Sequence, residues 1–325
     1  MIKNSKKIYL FVISIVIICI LTTTFACKKE TNEEETPKDI VPLYVVDDNN
    51  STFYYMGLYP QTVSDVDVSL IKQGVLDETT GWYTYEENQY AVVKAQEISS
   101  PYNRLLSNGE AVVKDKEYAF LVEPIRWKLI YSPVGEMLLL SEKIIDGSIY
   151  QDYSNLEKFN DDYIIENEVY ANSYYHSEVR VVLSDIYKKA FNHYDSTQID
   201  RILIKTQDNI NTNGGNKTMY SERQINTQDA LYILSYSDFY NPNYRVSLAS
   251  NVENYSVNRK KIVSDYAIVK GVPSFEGRYG TWWTRSTTDR EKASTIVRKI
   301  DVLGDLKEGD ISLCSGIVPA IWVEK

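Results

Sequence analysis

Residues 177–192 read SEVRVVLSDIYKKAFN, and this stretch carries the clearest structural signal in the chain. Its apolar residues recur at the three- and four-residue spacing that places them on one face of an α-helix. They are Val179, Val182, Leu183, Ile186, Tyr187, Ala190 and Phe191. Ser177 stands where its side chain caps the first turn. The stretch predicts one main amphipathic helix that packs on one face.

Around this helix the chain consists largely of short segments rich in Val, Ile, Tyr and Trp, which are typical of β-strands. Strands are predicted over residues 43–46, 84–93, 118–122, 126–131, 137–145, 202–206, 230–235 and 316–323. Two shorter helices are predicted, one over 196–201 and one that begins near Ser64 or Asp65. Many strands with few helices favour an α+β fold, in which a mixed or antiparallel sheet is covered on one side.

The composition is that of a globular protein. Of 325 residues, 43% are hydrophobic and 25% are charged, which is enough to bury a core. Lysine and arginine number 35 against 45 aspartates and glutamates, so the formal charge is -10. Nucleic-acid binding requires a cationic surface, and this charge therefore argues against a nucleic-acid partner.

The first 26 residues have the features of an export signal. Lys3, Lys6 and Lys7 form a positive start, and an apolar run of about 14 residues follows, from Ile8 to Leu21. A transmembrane helix needs roughly 20 apolar residues, whereas the apolar part of a secretory signal needs only about 7–15. We therefore expect export rather than an uncleaved membrane span.

The next segment, 22–29, reads TTTFACKK and resembles the lipobox of bacterial lipoproteins. In that motif the signal is cut before a cysteine whose thiol carries diacylglycerol, with further fatty acylation such as palmitate. Thr24 and Phe25 depart from the usual residues of the motif, and ordinary secretion with an incidental Cys27 is the alternative. Two acyl chains give the stable membrane anchoring that a single chain does not.

The lipobox interpretation divides the chain into three parts. Residues 1–26 are a lipoprotein signal peptide, residues 27–42 are the lipidated cysteine with a charged tether, and residues 43–325 are a single globular domain or two closely packed lobes. Cys314 is then the one thiol of the exported domain, so no internal disulfide is expected. The expected location is the bacterial cell membrane or outer surface.

No catalytic or metal-binding constellation stands out. The two histidines, His176 and His193, lie 17 residues apart without a cysteine or acidic partner at ligand spacing. The P-loop, G-x-S-x-G, H-E-x-x-H and G-x-G-x-x-G motifs are absent. Acidic pairs occur at Asp47-Asp48, at Asp65 with Asp67, and at Asp161-Asp162. Convergent carboxylates serve calcium sites and glycosidases, but an acidic chain contains many such pairs by chance. We expect no metal and no cofactor.

Tyrosine is unusually frequent, at 27 residues against 8 phenylalanines. Its ring stacks on sugars or on partner side chains while its hydroxyl stays in water. Tyr174 and Tyr175 end a tyrosine-rich segment that begins near Ser148 and also contains Asp and Asn. A glycan-binding surface is one interpretation of this segment, and ordinary strand propensity is the other.

A second aromatic cluster lies near the C-terminus. Trp282 and Trp283 are adjacent there, with Arg285 two residues further on. Neighbouring residues of a strand point to opposite faces, so we expect one indole in the core and the other on an exposed face. A fully buried aromatic layer is the alternative. The candidate ligand-binding residues are therefore Trp282, Trp283, Arg285, Trp322, Tyr174 and Tyr175.

Several short motifs are spread along the chain. They are 57–62 (GLYPQT), 123–129 (EPIRWKL), 138–146 (LLLSEKIID), the helix ending at Ala190-Phe191, 231–235 (LYILS), 264–267 (SDYA), 282–286 (WWTRS) and 317–322 (IVPAIW). Together they resemble a bacterial family labelled domain of unknown function 6273, whose members are commonly exported or lipid-anchored. Thr284 stands where that family usually has Leu, and Val318 where it usually has Arg, so any role of that arginine is absent or moved here. The resemblance implies no activity.

More distantly, the tryptophan–arginine segment and the closing strand are similar to the end of formylglycine-generating sulfatase-modifying enzymes and other C-type-lectin-like folds. The cysteine-dependent enzymes of that group use paired thiols, so their oxidation is not expected with Cys314 alone. We expect a lipid-anchored surface protein that recognises an external glycan or another surface protein without catalysis. A structural role in the envelope and a carboxylate-based glycan hydrolase are the alternatives.

Overall fold

The computed structural model describes residues 43–46, 52–96, 104–152, 164–165, 168–169, 171–206, 226–248, 255–275, 278–288 and 295–325. These residues all belong to one compact unit, Ile40–Lys325. The predicted signal peptide, Cys27 and the charged tether lie outside the described residues, as do the acidic pairs Asp47-Asp48 and Asp161-Asp162. No helix in the described part is long and apolar enough to cross a membrane.

The described residues form nineteen strands and six helices. The strands are β1 (Leu43–Val46), β2 (Thr52–Val63), β3 (Val75–Asp77), β4 (Trp82–Tyr85), β5 (Asn88–Lys94), β6 (Glu117–Tyr131), β7 (Glu136–Ser141), β8 (Lys143–Ile144), β9 (Asp146–Ile149), β10 (Ile164–Ile165), β11 (Glu168–Val169), β12 (Ile202–Leu203), β13 (Lys261–Val263), β14 (Tyr279–Gly280), β15 (Trp282–Thr287), β16 (Ile296–Ile300), β17 (Leu306–Asp310), β18 (Cys314–Ile317) and β19 (Ala320–Glu324). The helices are α1 (Val68–Ile71), α2 (Glu178–Ala190), α3 (Ser196–Ile199), α4 (Tyr236–Tyr240), α5 (Tyr255–Arg259) and α6 (Asp265–Val269). A single 3-10 turn, Tyr174–His176, precedes α2. The molecule is mostly β with few helices, which makes it α+β or mainly β.

The main sheet is organised around β6, a strand of 15 residues with neighbours on both edges. Along one edge β6 pairs antiparallel with β2 over most of its length. The other edge is divided between β5, which pairs over 117–121, and β7, which pairs over 127–131. Between these two stretches lies Pro124, which has no N–H to donate, and the Gln61 side chain donates to its carbonyl at 3.0 Å. The sheet curls here and continues as two arms, β5-β4-β3 and β7-β19-β12.

Smaller sheets complete the described fold. One has five strands in the order β17-β16-β15-β18-β9, one has three in the order β14-β13-β8, and β10 pairs with β11. β15 runs parallel to β18, and β13 runs parallel to β8. These two smaller sheets are therefore mixed, whereas every strand pair of the main sheet is antiparallel. Side chains from the main sheet, the five-stranded sheet and the three-stranded sheet meet those of α2 and α6 in one hydrophobic core.

Helix α2 forms where the periodicity predicts it. Ser177 Oγ accepts the backbone N–H of Arg180 at 3.1 Å and so caps the first turn. The fully buried residues of the helix are Val179, Leu183, Ile186 and Ala190. Each of the aliphatic side chains larger than alanine contributes roughly 1.5–3 kcal/mol by its burial. The opposite face of the helix is left to solvent.

The prediction of a strand over 230–235 is wrong. Residues 231–235 are buried, but they join a strand only through an isolated bridge between Tyr232 and Ala320. Arg285 takes the next two carbonyls, because its backbone N–H donates to Leu234 at 3.0 Å and its Nη1 donates to Ile233 at 2.6 Å. The Arg285 side chain therefore donates to a carbonyl that would otherwise accept a hydrogen bond from a neighbouring strand.

Other differences concern boundaries. The predicted strands 118–122 and 126–131 are one strand, β6, and the predicted strand 316–323 is divided into β18 and β19. The short helix predicted over 196–201 is α3, and the one predicted near Ser64 or Asp65 is α1, which begins at Val68.

Candidate functional site

Trp282 and Trp283 lie in β15, and both are fully buried. The indole N–H of Trp282 donates to the Arg259 carbonyl at 3.0 Å, and that of Trp283 donates to the Ser148 carbonyl at 2.9 Å. Neighbours in a strand point to opposite faces, but here protein packs against both faces. The expectation that one indole faces outward is therefore wrong.

Arg285, Trp322 and Tyr174 are buried as well, with 4%, 8% and 0% of their surfaces exposed. Arg285 Nη1 donates to the Asp238 carboxylate at 3.1 Å as well as to Ile233. Burial raises the pKa of the Tyr174 phenol. These side chains are part of the core, and an external ligand could touch them only if the surrounding layer opened.

Tyr175 is the candidate in the described part that reaches the surface, with 36% of its area exposed. It lies in the 3-10 turn before α2, at the rim of a groove of about 720 Å³. One wall of the groove is formed by Tyr175, His176 and the outer face of α2, and the other by Ile204 and residues 228–231. We call this site the α2 groove.

An ion pair holds the rim of the α2 groove in place. Arg180 Nε donates to the two carboxylate oxygens of Asp229 at 2.9 and 3.2 Å, and its Nη2 lies 2.9 Å from the nearer one. Arg180 Nη1 also donates to the Tyr175 carbonyl at 3.2 Å, and the guanidinium lies 5.2 Å from the centre of the Tyr175 ring. Thr206 Oγ1 accepts the Asp229 N–H at 2.9 Å. A forked arginine–carboxylate pair of this kind is directional, so it fixes the position of the guanidinium beside the tyrosine ring.

The remaining surface of the groove combines apolar and polar groups. Val181 and Ile204 are 62% and 58% exposed, which is high for aliphatic residues beside a groove. Ser184 and Lys188 are exposed on the same side of α2, and Gln228 lies on the opposite wall. An aromatic ring, two aliphatic side chains and several hydrogen-bonding groups are suited to binding an extended polar ligand.

Metal centres and glycosidases both depend on carboxylates that converge on one site. No group of three potential metal ligands occurs among the described residues. Asp146 is a carboxylate whose pKa is raised by burial, but it is 2% exposed and accepts the Tyr59 hydroxyl at 2.7 Å within the core. A glycosidase needs its raised-pKa acid in a cleft, where the substrate can reach it.

The acidic pair Asp65 and Asp67 lies in a smaller depression, of about 370 Å³. Asp67 caps α1 by accepting the Ser69 N–H at 2.7 Å, and hydrogen bonds to Ser69 lower the pKa of this carboxyl. Glu117 in the same depression pairs with Lys72 at 2.6 Å. Asp67 and Glu117 are thus engaged in a cap and an ion pair.

Several of the short sequence motifs contact one another inside the molecule. Tyr59 of the first motif binds Asp146 of the third, and the Trp127 indole donates to the Met56 carbonyl at 2.8 Å. Asp265 accepts hydrogen bonds from three separate segments of the chain. These contacts join the motifs within the folded core, and two of the motifs, α2 and 231–235, also contribute to the lining of the α2 groove.

Two residues of the groove could not be found from the sequence. Arg180 and Asp229 are 49 positions apart, and nothing local marks them as a pair. Val181 is the one local signal, because it is an apolar residue on the otherwise polar face of α2.

Fold and groove together define an α+β or mainly β protein with an open groove beside its longest described helix. A family model described as "Domain of unknown function (DUF6273)" matches residues 134–325, and the chain belongs to this family. The match begins after β6, so the motifs at 57–62 and 123–129 lie outside it. No curated protein and no solved structure gives a significant match.

Proposed function

We propose that this protein is a non-catalytic recognition protein that binds an external glycan in the α2 groove. The observation that carries the proposal is the exposed Tyr175 ring, which lines the groove beside the Arg180 guanidinium. Tyrosine rings stack against the apolar faces of sugars, and planar polar side chains such as Gln228 bind sugar hydroxyls. An extended groove suits a chain of sugars.

A glycan suits the groove better than a folded protein partner does. Stable protein interfaces are built on a continuous apolar patch with aromatic anchors that become fully buried. The lining of the α2 groove combines the aliphatic Val181 and Ile204 with polar residues, which include Ser184, Lys188 and Gln228. Protein binding at the groove is an outcome that would contradict the proposal.

The test compares two exposed tyrosines in a binding assay against a panel of polysaccharides. Tyr175 is 36% exposed and contacts His176 at a ring distance of 4.5 Å, while Tyr240 is 45% exposed and contacts Tyr236 at the same distance. Tyr175→Ala is expected to weaken glycan binding by roughly 5- to 150-fold, if the lost stack is worth the about 1–3 kcal/mol of a nucleic-acid base stacked on an aromatic side chain. Tyr240→Ala is the matched control and should leave binding unchanged. Equal effects, or no glycan binding by a folded protein, would overturn the proposal.

We further propose that the protein is exported and held at the bacterial membrane by lipid on Cys27. The support is the sequence alone: a positive start, a short apolar run and a cysteine that opens a charged segment. Cys27→Ser should abolish incorporation of labelled fatty acid and release the protein from the membrane fraction. If the Cys27→Ser protein stays with the membrane after a salt wash, the apolar run is acting as an uncleaved anchor.

The more distant likeness to C-type-lectin-like folds is proposed for the C-terminal part of the domain. It is supported by the sequence alone, through the tryptophan–arginine segment at 282–285 and the closing Gly-x-x-Pro-Ala sequence at 316–320. An experimental structure compared with lectin folds strand by strand tests it, and a different strand order would contradict it.

A further inference from the structure

The charges along the α2 groove indicate which class of glycan it takes. We propose that the ligand is an acidic glycan whose carboxylate or phosphate group pairs with Lys188, an inference that rests on the proposed function. Arg180, Ser184 and Lys188 are spaced four residues apart, which places them in one row along α2. All three line the groove.

Of the two cations in this row, Lys188 is the one left for a ligand. Arg180 is engaged by Asp229 through its fork of N–H groups. The nearby acid on the helix, Asp185, is paired with Lys189 at 2.9 Å. Within the described residues Lys188 has no ion-pair partner, and its side chain lies exposed at the groove.

The overall negative charge of the chain means that an acidic ligand needs a local cation in order to bind. The chain carries a formal charge of -10, so its general field disfavours anionic ligands. An acidic glycan therefore requires a cation at the binding site itself, and Lys188 provides one where Asp185 and Asp229 already have partners. A phosphate or carboxylate at Lys188 would form a charge-assisted hydrogen bond.

The length of the row indicates an oligomer. Arg180 and Lys188 are eight residues apart, which is about 12 Å along a helix at 1.5 Å per residue. Tyr175 lies beyond Arg180, before the helix begins. A ligand that stacks on Tyr175 and reaches Lys188 must therefore extend further than 12 Å, with Ser184 halfway along as a hydrogen-bonding group.

The experiment uses the full chain and three probes of equal length. These are an oligomer of galacturonic acid, the corresponding neutral galactose oligomer, and a glycerol-phosphate oligomer, each titrated at low and at high salt. At least one acidic probe is expected to bind about tenfold more tightly than the neutral one, and high salt should reduce the difference. Comparison of the galacturonic acid oligomer with the glycerol-phosphate oligomer shows whether the groove prefers a carboxylate or a phosphate group.

Lys188→Gln should remove the preference for the acidic probe, so that the acidic and the neutral oligomers bind with similar affinity. Lys307→Gln removes the same charge from an exposed site outside the groove and should leave the preference intact. If Tyr175→Ala weakens binding while all three probes bind equally, the acidic ligand is wrong and the groove proposal stands. An acidic preference that survives Lys188→Gln also overturns this inference. If none of the probes nor any panel glycan binds, the proposed function itself fails.

Discussion

At the scale of single residues, Trp282 and Trp283 test how completely β15 is enclosed. Both indoles are fully buried and donate to backbone carbonyls, so both Trp282→Ala and Trp283→Ala are expected to lower the free energy of unfolding by roughly 3–5 kcal/mol. Chemical denaturation measures the loss. Tyr240→Ala, at an exposed ring, should cost at most about 1 kcal/mol. A small loss for either tryptophan would mean that its ring faces solvent.

Lys261 makes the stability of the protein depend on pH. Its amine is 1% exposed and donates to the Ser141 carbonyl at 2.7 Å, and burial, with a smaller contribution from Lys128, lowers its pKa to about 7. Above pH of about 10.4 the amine is neutral in both the folded and the unfolded chain, so its burial does not require a charge to be removed from water. As the pH falls towards 7, the unfolded chain binds a proton that the folded one does not, and stability decreases. Below pH 7 the amine is protonated in both states, so its effect on the free energy of unfolding no longer changes with pH.

Lys261→Met should therefore stabilise the protein, by roughly 1–4 kcal/mol at pH 7, and the gain should shrink as the pH rises towards 10. Thermal melts of both proteins between pH 6 and pH 10 measure it. Lys307→Met, at an exposed amine, is the control for the loss of one charge. A difference between Lys261→Met and the parent that does not change with pH would show that the buried amine does not titrate as described.

At the scale of secondary-structure elements, α2 offers two serines with different roles. Ser177 caps the helix through the Arg180 N–H, while Ser184 is exposed in its middle. Ser177→Ala should lower the free energy of unfolding by about 1 kcal/mol, and Ser184→Ala should leave it unchanged or raise it slightly, because alanine is the better helix former. Denaturation midpoints measure both. Equal effects of the two substitutions would mean that the cap is not formed.

How much of each element could be predicted depends on whether its signal is local. The helix α2 is predictable because its buried face repeats along the chain, and most of β6 is predictable, although as two shorter strands, because its residues are strongly β-forming. The strand β2 was missed because Gly57 and Pro60 are typical of turns. Gly57 instead lies at a β-bulge with φ +74°, where its N–H donates to the Tyr194 hydroxyl at 2.5 Å. The groove contains the ion pair between Arg180 and Asp229, which cannot be predicted from a local sequence pattern because the two residues are 49 positions apart.

At the scale of the whole molecule, the family match over 134–325 covers only part of the compact unit Ile40–Lys325. Residues 134–325 lack β6, so β7 would lose one of its two neighbours. Asp146 would lose the Tyr59 hydroxyl, and Asp265 would lose the Val63 N–H. We expect fragment 134–325 to show no cooperative unfolding by circular dichroism. Fragment 40–325 is the control and should unfold cooperatively, since it is one compact unit. A cooperative transition in the shorter fragment would contradict this prediction.

The burial of the tryptophans allows folding and ligand binding to be followed by two different optical signals. The chain has five tryptophans, Trp82, Trp127, Trp282, Trp283 and Trp322, and each is at most 8% exposed. The lining of the α2 groove contains tyrosines and no tryptophan. Indole fluorescence therefore reports whether the chain is folded and is insensitive to what touches the groove, while a dye placed at the rim reports occupancy. With both signals read from one cuvette, a variant that has lost its ligand is distinguished from one that has lost its structure.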